Sequence, residues 1–397
     1  MENKRCVCCG KELKKTTPRA WLEDGKCFIC TDCISMLYKG MQEKWKSLYN
    51  QAFEFKTPHE IYNAMEQKII GQTHAKKILS VAVYNHYKRI LNQDLPIEKN
   101  NILLAGPSGS GKTFFAKTLA ELLNVPFVIA DATKYTEAGY IGEDVENCIL
   151  ALYENAGRNK AKTEIGIVFI DEIDKIASKS TGRSTTKDVS GEGVQNALLK
   201  LIEGTVVEIK DKQDINGHTC KIDTSNILFI CGGAFSGLGT EKEKKDIYIG
   251  FAGNKENFTN TETPQHTHTV EDFIQYGMTR EFMGRLPVIA ELTELTQNEL
   301  VAILKNPTGI LKHYESLFAI DQIQLTFSDE ALKEIAKMAL ERQVGARGLK
   351  AILEEIMLDI MFNLPSSDKQ IEKCHITLET VRGALPELYR KEIAMEA

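Results

Sequence analysis

The chain has no uninterrupted apolar run of the ~18 or more residues that a membrane-spanning helix requires. Its opening stretch, MENKRCVCCG, has no apolar segment of the kind that secretory signals carry. There are no internal repeats and no excess of basic charge. Lys and Arg number 49 against 55 Asp and Glu, for a net charge of −6. Duplex-binding proteins usually show a basic footprint, so this balance weighs against a nucleic-acid partner. The expectation is a cytoplasmic protein with neither membrane nor nucleic acid as partner. At 397 residues and 43% hydrophobic, it is long enough for two or three domains and a sizeable core.

Cysteine is unevenly spread. Six of the 10 lie in the first 33 residues, and the others (Cys148, Cys220, Cys231, Cys374) are scattered like small buried hydrophobes. Cys6–Cys9 and Cys30–Cys33 form two C-x-x-C pairs 20 residues apart, the spacing of a four-thiolate zinc site. Four thiolates leave no open coordination position, so such a zinc would be structural. Cys27–Cys30 is a competing pair, and Cys8 is a spare. Cys30–Cys33 is preferred because Cys9-Gly10 and the CTDC stretch each suit a tight knuckle, whereas KCFIC reads as a short strand. Disulfides would need an oxidising compartment, for which nothing else argues. The next segment, 34–49, places Ile34, Leu37, Tyr38, Met41, Trp45 and Leu48 at helical spacing. That face suits either self-association or docking, or packing within the module.

After a polar stretch ending near Pro58, an amphipathic helix presents Ala75, Ile78, Leu79 and Ala82 on one face. From Asn101, apolar strands alternate with helices: NILLAG, a helix from Lys112, VPFVIA, a helix from Glu143, IGIVFID, a helix over 191–203, then NILFICGG. That rhythm predicts a mostly parallel sheet covered on both faces. Beyond about Asn306 the pattern turns to helices with one short strand, QIQLTF, which predicts a second, smaller domain. The stretch 237–269 is long and irregular, as functional or disordered loops are.

GPSGSGKT, Gly106 to Thr113, fits G-x-x-x-x-G-K-[ST] between a strand and a helix, the context of a phosphate-binding loop. Gly106, Pro107, Ser108, Gly109, Ser110 and Gly111 form a cradle for phosphate oxygens, whose donors are the backbone N–H groups of all of them except the proline. Lys112 would reach the β- and γ-phosphates, and Thr113 would ligate Mg²⁺. IVFIDEID then delivers Asp171 and Glu172 at the end of a buried strand. Asp171 would hold the Mg²⁺ shell, and Glu172 would polarise a water for in-line attack. ATP hydrolysis, rather than binding alone, is the expected activity.

With these blocks in order (IIGQTHAKKILSVAVYNHYKRI, the phosphate loop, GYIGEDVEN, FIDEIDKI, DVSGEGVQNALLKLIEGT, TSNILFICGGAF, EFMGRLPVIAEL, GARGLKAI), the chain resembles the ClpX family. These are AAA+ ATP-dependent protein unfoldases that serve the ClpP peptidase. The likeness covers about 61–365, and the cysteine module resembles that family's N-terminal zinc domain. The fold it implies is α/β. A P-loop AAA+ large domain with a parallel sheet (61–306) precedes a smaller, mainly helical α+β C-terminal domain (307–397). A treble-clef-like zinc module (1–49) and a linker (50–60) come first.

The resemblance also implies roles. The working form would be a homohexamer with ATP between subunits. Arg285 would reach the neighbour's γ-phosphate, Arg347 would contact the nucleotide of its own subunit, and Ile70 would pack on adenine. Tyr140 and Ile141, flanked by glycines in GYIG, would line the axial pore and grip an unfolded or tagged substrate. From the residues alone, a structural role for Tyr140 is as good. The stretch 178–191, with three Lys or Arg residues, matches a second pore loop. Ile249-Gly250-Phe251 would dock on a ClpP-type peptidase, and the zinc module would receive adaptor proteins. No sensor residue ends the ILFICGG strand. Three departures stand out. DKQDINGHTC has Asn216-Gly217 where the family has an Arg-Lys pair before His218, Arg280 replaces a usual proline, and Cys8 and Cys27 are extra.

Overall fold

The computed structural model describes residues 5–12, 19–22, 27–37, 40, 56–92, 95–136, 143–178, 191–210, 219–238, 268–307, 309–364 and 371–390. Tyr140, Ile141, most of 178–191, His218, Ile249, Gly250, Phe251 and most of the segment 38–49 lie outside these residues.

The centre is a five-stranded parallel sheet: β3 (Ile102–Ala105), β4 (Phe127–Asp131), β5 (Ile167–Asp171), β8 (Leu228–Gly233) and β9 (Val288–Glu291). Its order is β4-β5-β8-β3-β9. β3 and β8 are buried along their whole length, and β5 is buried up to Asp171. This is why their sequences read as unbroken apolar runs rather than alternations. One core, with Leu103, Ile170 and Phe229, lies on one face, and a second, with Leu104, Phe169 and Ile230, lies on the other. The alternation of neighbouring residues between the two is the period of a strand.

Helix α1 (Pro58–Lys68) starts with a capping box between Thr57 and Glu60 and with Pro58 in its first turn, where a missing N–H costs nothing. Helix α2 (Thr73–Leu91) buries Ala75, Leu79 and Ala82, with Ile78 partly covered, as the periodicity predicts. Helix α3 (Lys112–Leu123) follows the phosphate loop. Helix α4 (Asn147–Asn155) begins later than its sequence suggests, because Glu143 is held in a parallel bridge to Tyr135. A short helix, α5 (Lys160–Thr163), precedes β5, and α6 (Gly191–Glu203) precedes the hairpin of β6 (Val206–Lys210) and β7 (Thr219–Asp223). Helices α7 (Val270–Tyr276) and α8 (Arg280–Gly284) lead into β9.

A third core begins at Leu295. It is built by α9 (Gln297–Leu304), α10 (Ile310–Ile320), α11 (Asp329–Glu341) and α12 (Gly345–Asn363), with β10 (Gln324–Phe327) and β11 (Ile371–Ile376). β11 pairs parallel with β10 and antiparallel with β12 (Glu387–Arg390). At the other end of the chain, β1 (Arg19–Leu22) and β2 (Cys27–Cys30) form a hairpin, and residues 31–37 are helical. Among the described residues, no helix is long and apolar enough to cross a membrane.

Candidate functional site

The sheet order sets the site. β8 lies between β3, which leads into the phosphate loop, and β5, which ends on Asp171. The crevice beyond the strands' carboxyl ends is where open α/β sheets bind ligands. β8 ends there on Gly232-Gly233. A Cβ at Gly232 would lie 2.5 Å from Phe169 Cζ and 3.4 Å from Asp171 Oδ1, and one at Gly233 would lie 3.1 Å from Asp174 Oδ1. This strand end has no room for a side chain, which accounts for its lack of a polar sensor residue. Asp174 reaches it instead: its Oδ1 accepts from Ala234 N–H at 2.9 Å.

The loop itself starts with Gly106 N–H donating to Gly233 O at 3.2 Å. Gly109 has φ +77, and a Cβ there would lie 2.5 Å from Val344 O. Only glycine allows both that left-handed conformation and that approach. Lys112 Nζ donates to the carbonyls of Gly106 (2.6 Å) and Pro107 (2.9 Å). Burial pushes its pKa below the ordinary lysine value, while the carboxylates of Asp171 and Asp174 pull it back up. Thr113 Oγ1 donates to Asp171 Oδ2 at 3.0 Å, so a hydroxyl and a carboxylate that could share one Mg²⁺ shell stand side by side. Glu172 follows in left-handed conformation (φ 57), exposed, with its N–H bonded to Asp171 Oδ1 at 2.9 Å.

A cleft of about 820 Å³ opens beside the loop, lined by Ile70, Ser110, Gly111, Phe114, Leu295, Ile303, Ile310, His313 and Ala346, among others. An apolar cleft next to a phosphate cradle has the composition a nucleoside base needs. Ile70 lines this cleft. Phe114, Leu295 and His313 are additional. Of the adjacent pair Phe114-Phe115, Phe115 is fully buried and Phe114 is 51% exposed. The chain leading to Ile70 is fixed by Gln72, whose amide exchanges two hydrogen bonds with the backbone of Thr293 (2.8 and 3.0 Å).

The two arginines stand apart. Arg347 is exposed on the first turn of α12, beside Ala346, whose N–H donates to Gly109 O at 3.3 Å. It is therefore at the margin of the phosphate loop. Arg285 does not line the cleft. It is exposed, and its Nε donates to Glu203 Oε1 at 2.8 Å.

The N-terminal cysteines also come together. The sulfurs of Cys6, Cys9, Cys30 and Cys33 all lie within 4.8 Å of one another, and Cys9 and Cys30 are 3.7 Å apart. A tetrahedral Zn²⁺ with bonds of about 2.3 Å needs sulfurs roughly 3.8 Å apart, so the donor set fits. Gly10, at φ +76, closes the first knuckle, and Cys30 N–H donates to Cys6 Sγ at 3.3 Å. Backbone N–H groups of Cys30 and Cys9 draw the Cys6 thiol down to about 6, whereas the sulfurs of Cys9 and Cys30 push Cys33 up. Four neighbouring sulfurs cannot all ionise alone, and a dication among them removes that conflict. Cys8 is exposed and outside the cluster. Elemental analysis should therefore find one zinc per chain in the wild type and in Cys8→Ser, and none in Cys30→Ser. Loss of zinc in Cys8→Ser would show the ligand set to be wrong.

Residues 97–289 match the family model of the AAA domain (Cdc48 subfamily). Residues 295–378 match the model of the C-terminal, D2-small domain of ClpB protein. The first match spans the phosphate loop, Asp171, Glu172 and Arg285, and the second spans Arg347. The chain thus carries an AAA ATPase domain followed by a ClpB-type small domain, a pairing that supports an AAA+ ATPase of the Clp/Hsp100 type.

Proposed function

We propose that this ATPase is a protein unfoldase that works as a ring of six and threads polypeptides through its axial pore into a ClpP-type peptidase. The observation that carries this reading is the make-up of the nucleotide cleft. The phosphate loop and Ile70 form one side, and Ile310, His313 and Ala346, from the elements that build the third core, form the other. Hydrolysis in such a cleft changes what joins the two parts, and that is how chemistry becomes movement.

In this reading Lys112 holds the β- and γ-phosphates, and Thr113 and Asp171 hold Mg²⁺, which neutralises charge developing on the phosphoryl oxygens. Glu172 orients the attacking water. Arg347 contacts the nucleotide of its own subunit, and Arg285 that of its neighbour. Its Glu203 pair is exposed to solvent, where an ion pair is worth about 1 kcal/mol or less and is readily exchanged. Tyr140 and Ile141 grip the moving chain through bulky, weakly directional contacts, which suit any sequence. Ile249-Gly250-Phe251 dock on the peptidase.

The test is degradation of a stably folded, tagged protein by this chain plus a ClpP peptidase. Wild type should degrade it with ATP. Phe251→Ala should still hydrolyse ATP but degrade at least roughly tenfold more slowly, as loss of an apolar anchor does. Unfolding of the substrate without delivery to the peptidase would instead make the protein a remodeller of complexes and would remove the docking role of Ile249–Phe251.

A further inference from the structure

We infer that Gln195 positions Arg285, linking the turn after Glu172 to the element that presents the arginine to the neighbouring subunit. The inference rests on the trans-acting role proposed for Arg285.

Gln195, on α6, is fully buried. Its one amide bonds three backbone groups from two distant segments. Nε2 donates to Ile176 O at 2.8 Å and to Gly277 O at 3.3 Å, and Oε1 accepts from Thr279 N–H at 2.8 Å. Two acceptors on one side and a donor on the other allow only one orientation of the amide. Ile176 ends the short turn that begins just after Glu172. Thr279 is the N-cap of α8, and Arg285 is its C-cap.

The same junction is reinforced around Gln195. Ser178, just before the segment 179–190, donates from both N–H and Oγ to Gly277 O (2.9 and 3.1 Å). Gly277 has φ +122, and a Cβ there would lie 2.5 Å from Ser178 O. At the far end of α6, Glu203 pairs with Arg285 itself. Buried Asn101 donates to Arg285 O at 3.1 Å. The arginine's element is therefore fixed at its start by Gln195 on α6 and at its end by Asn101. Filling the interior of α6 would need only an apolar side chain. A buried amide with every polar atom matched to backbone specifies geometry instead.

The experiment uses mixed rings. Glu172→Gln subunits are expected to hydrolyse only very slowly but to present an intact Arg285. Gln195→Met alone should lose turnover on the order of 10²-fold, the cost of roughly 1 Å of misplacement at a reacting centre, while still binding a fluorescent ATP analogue. Mixing the two should raise turnover well above the sum of the separate proteins, as mixing Arg285→Ala with Glu172→Gln should. Wild-type turnover in Gln195→Met overturns the inference. So does a loss that mixing fails to restore while Arg285→Ala is restored. If Arg285→Ala is not restored either, the trans role of Arg285 fails, and the inference falls with it. Should Gln195→Met not assemble, Thr279→Pro decides. Thr279 has φ −70, which proline adopts, and the change removes the N–H that Gln195 accepts. Thr279→Pro should show the restorable loss in full, and Thr279→Ala, which gives up the same cap hydroxyl that accepts from Phe282 N–H but keeps the N–H that Gln195 accepts, should lose much less. Equal behaviour of the two overturns the inference.

Discussion

A Glu172→Gln chain is expected to bind ATP as the wild type does and to hydrolyse it about 10² to 10⁴ times more slowly, the range over which a positioned general base acts. The substitution is close to isosteric. It keeps the N–H bond to Asp171 Oδ1 and leaves the left-handed turn at Glu172 undisturbed. A non-glycine residue in that conformation is strained by about 1 kcal/mol or more, and the strain persists only where surroundings enforce it. Here the end of β5 and the turn ending at Ile176 do so. What changes is the ability to take a proton from water. Equilibrium binding of a fluorescent analogue and release of phosphate in a single turnover separate the two properties. Wild-type phosphate release from Glu172→Gln would remove Glu172 from the chemistry.

The parts of this site that were legible in the sequence are those with fixed local spacing. Gly106 to Thr113 and Asp171-Glu172 each occupy a few consecutive residues at the end of an apolar strand, and the structure brings Thr113 to Asp171. The cysteine cluster was legible for the same reason. Two knuckles of fixed spacing meet, with Cys33 in the set and Cys8 outside it. Contacts between distant segments that no motif marks were not legible. The cleft joins Phe114 to Leu295 and His313, and Gln72 holds Thr293. No local pattern announces such pairs, because the fold alone sets them. Gln195 is a further case. In sequence it is one polar residue on a helix, and only the packing shows that two segments converge on its amide. The late start of α4 has a similar cause: the bridge from Glu143 to Tyr135 overrides a helix-compatible sequence.

Lys112→Ala should weaken ATP binding by roughly 10²-fold or more, since charge-assisted hydrogen bonds are worth about 1.5–3 kcal/mol each and the lysine is expected to reach two phosphates. The lysine bonds to the carbonyls of Gly106 and Pro107, within its own loop. Neutral carbonyls are weak partners for an ammonium whose charged form burial already disfavours. Phosphate oxygens in the cradle are stronger ones, so the exchange favours nucleotide. ADP, which lacks the γ-phosphate, should lose less affinity than ATP in the same variant, and the ratio of the two losses reports how much of the contact is to the γ-phosphate. Lys112→Arg should not restore binding. Nζ is a compact point charge that fits within 3 Å of two loop carbonyls, whereas a planar guanidinium needs a wider, flatter site. Titration of ATP and ADP into wild type, Lys112→Ala and Lys112→Arg gives all the ratios. Equal losses for ATP and ADP would mean that Lys112 stops at the β-phosphate, and γ-phosphate stabilisation would then fall to Arg285, Arg347 and Mg²⁺.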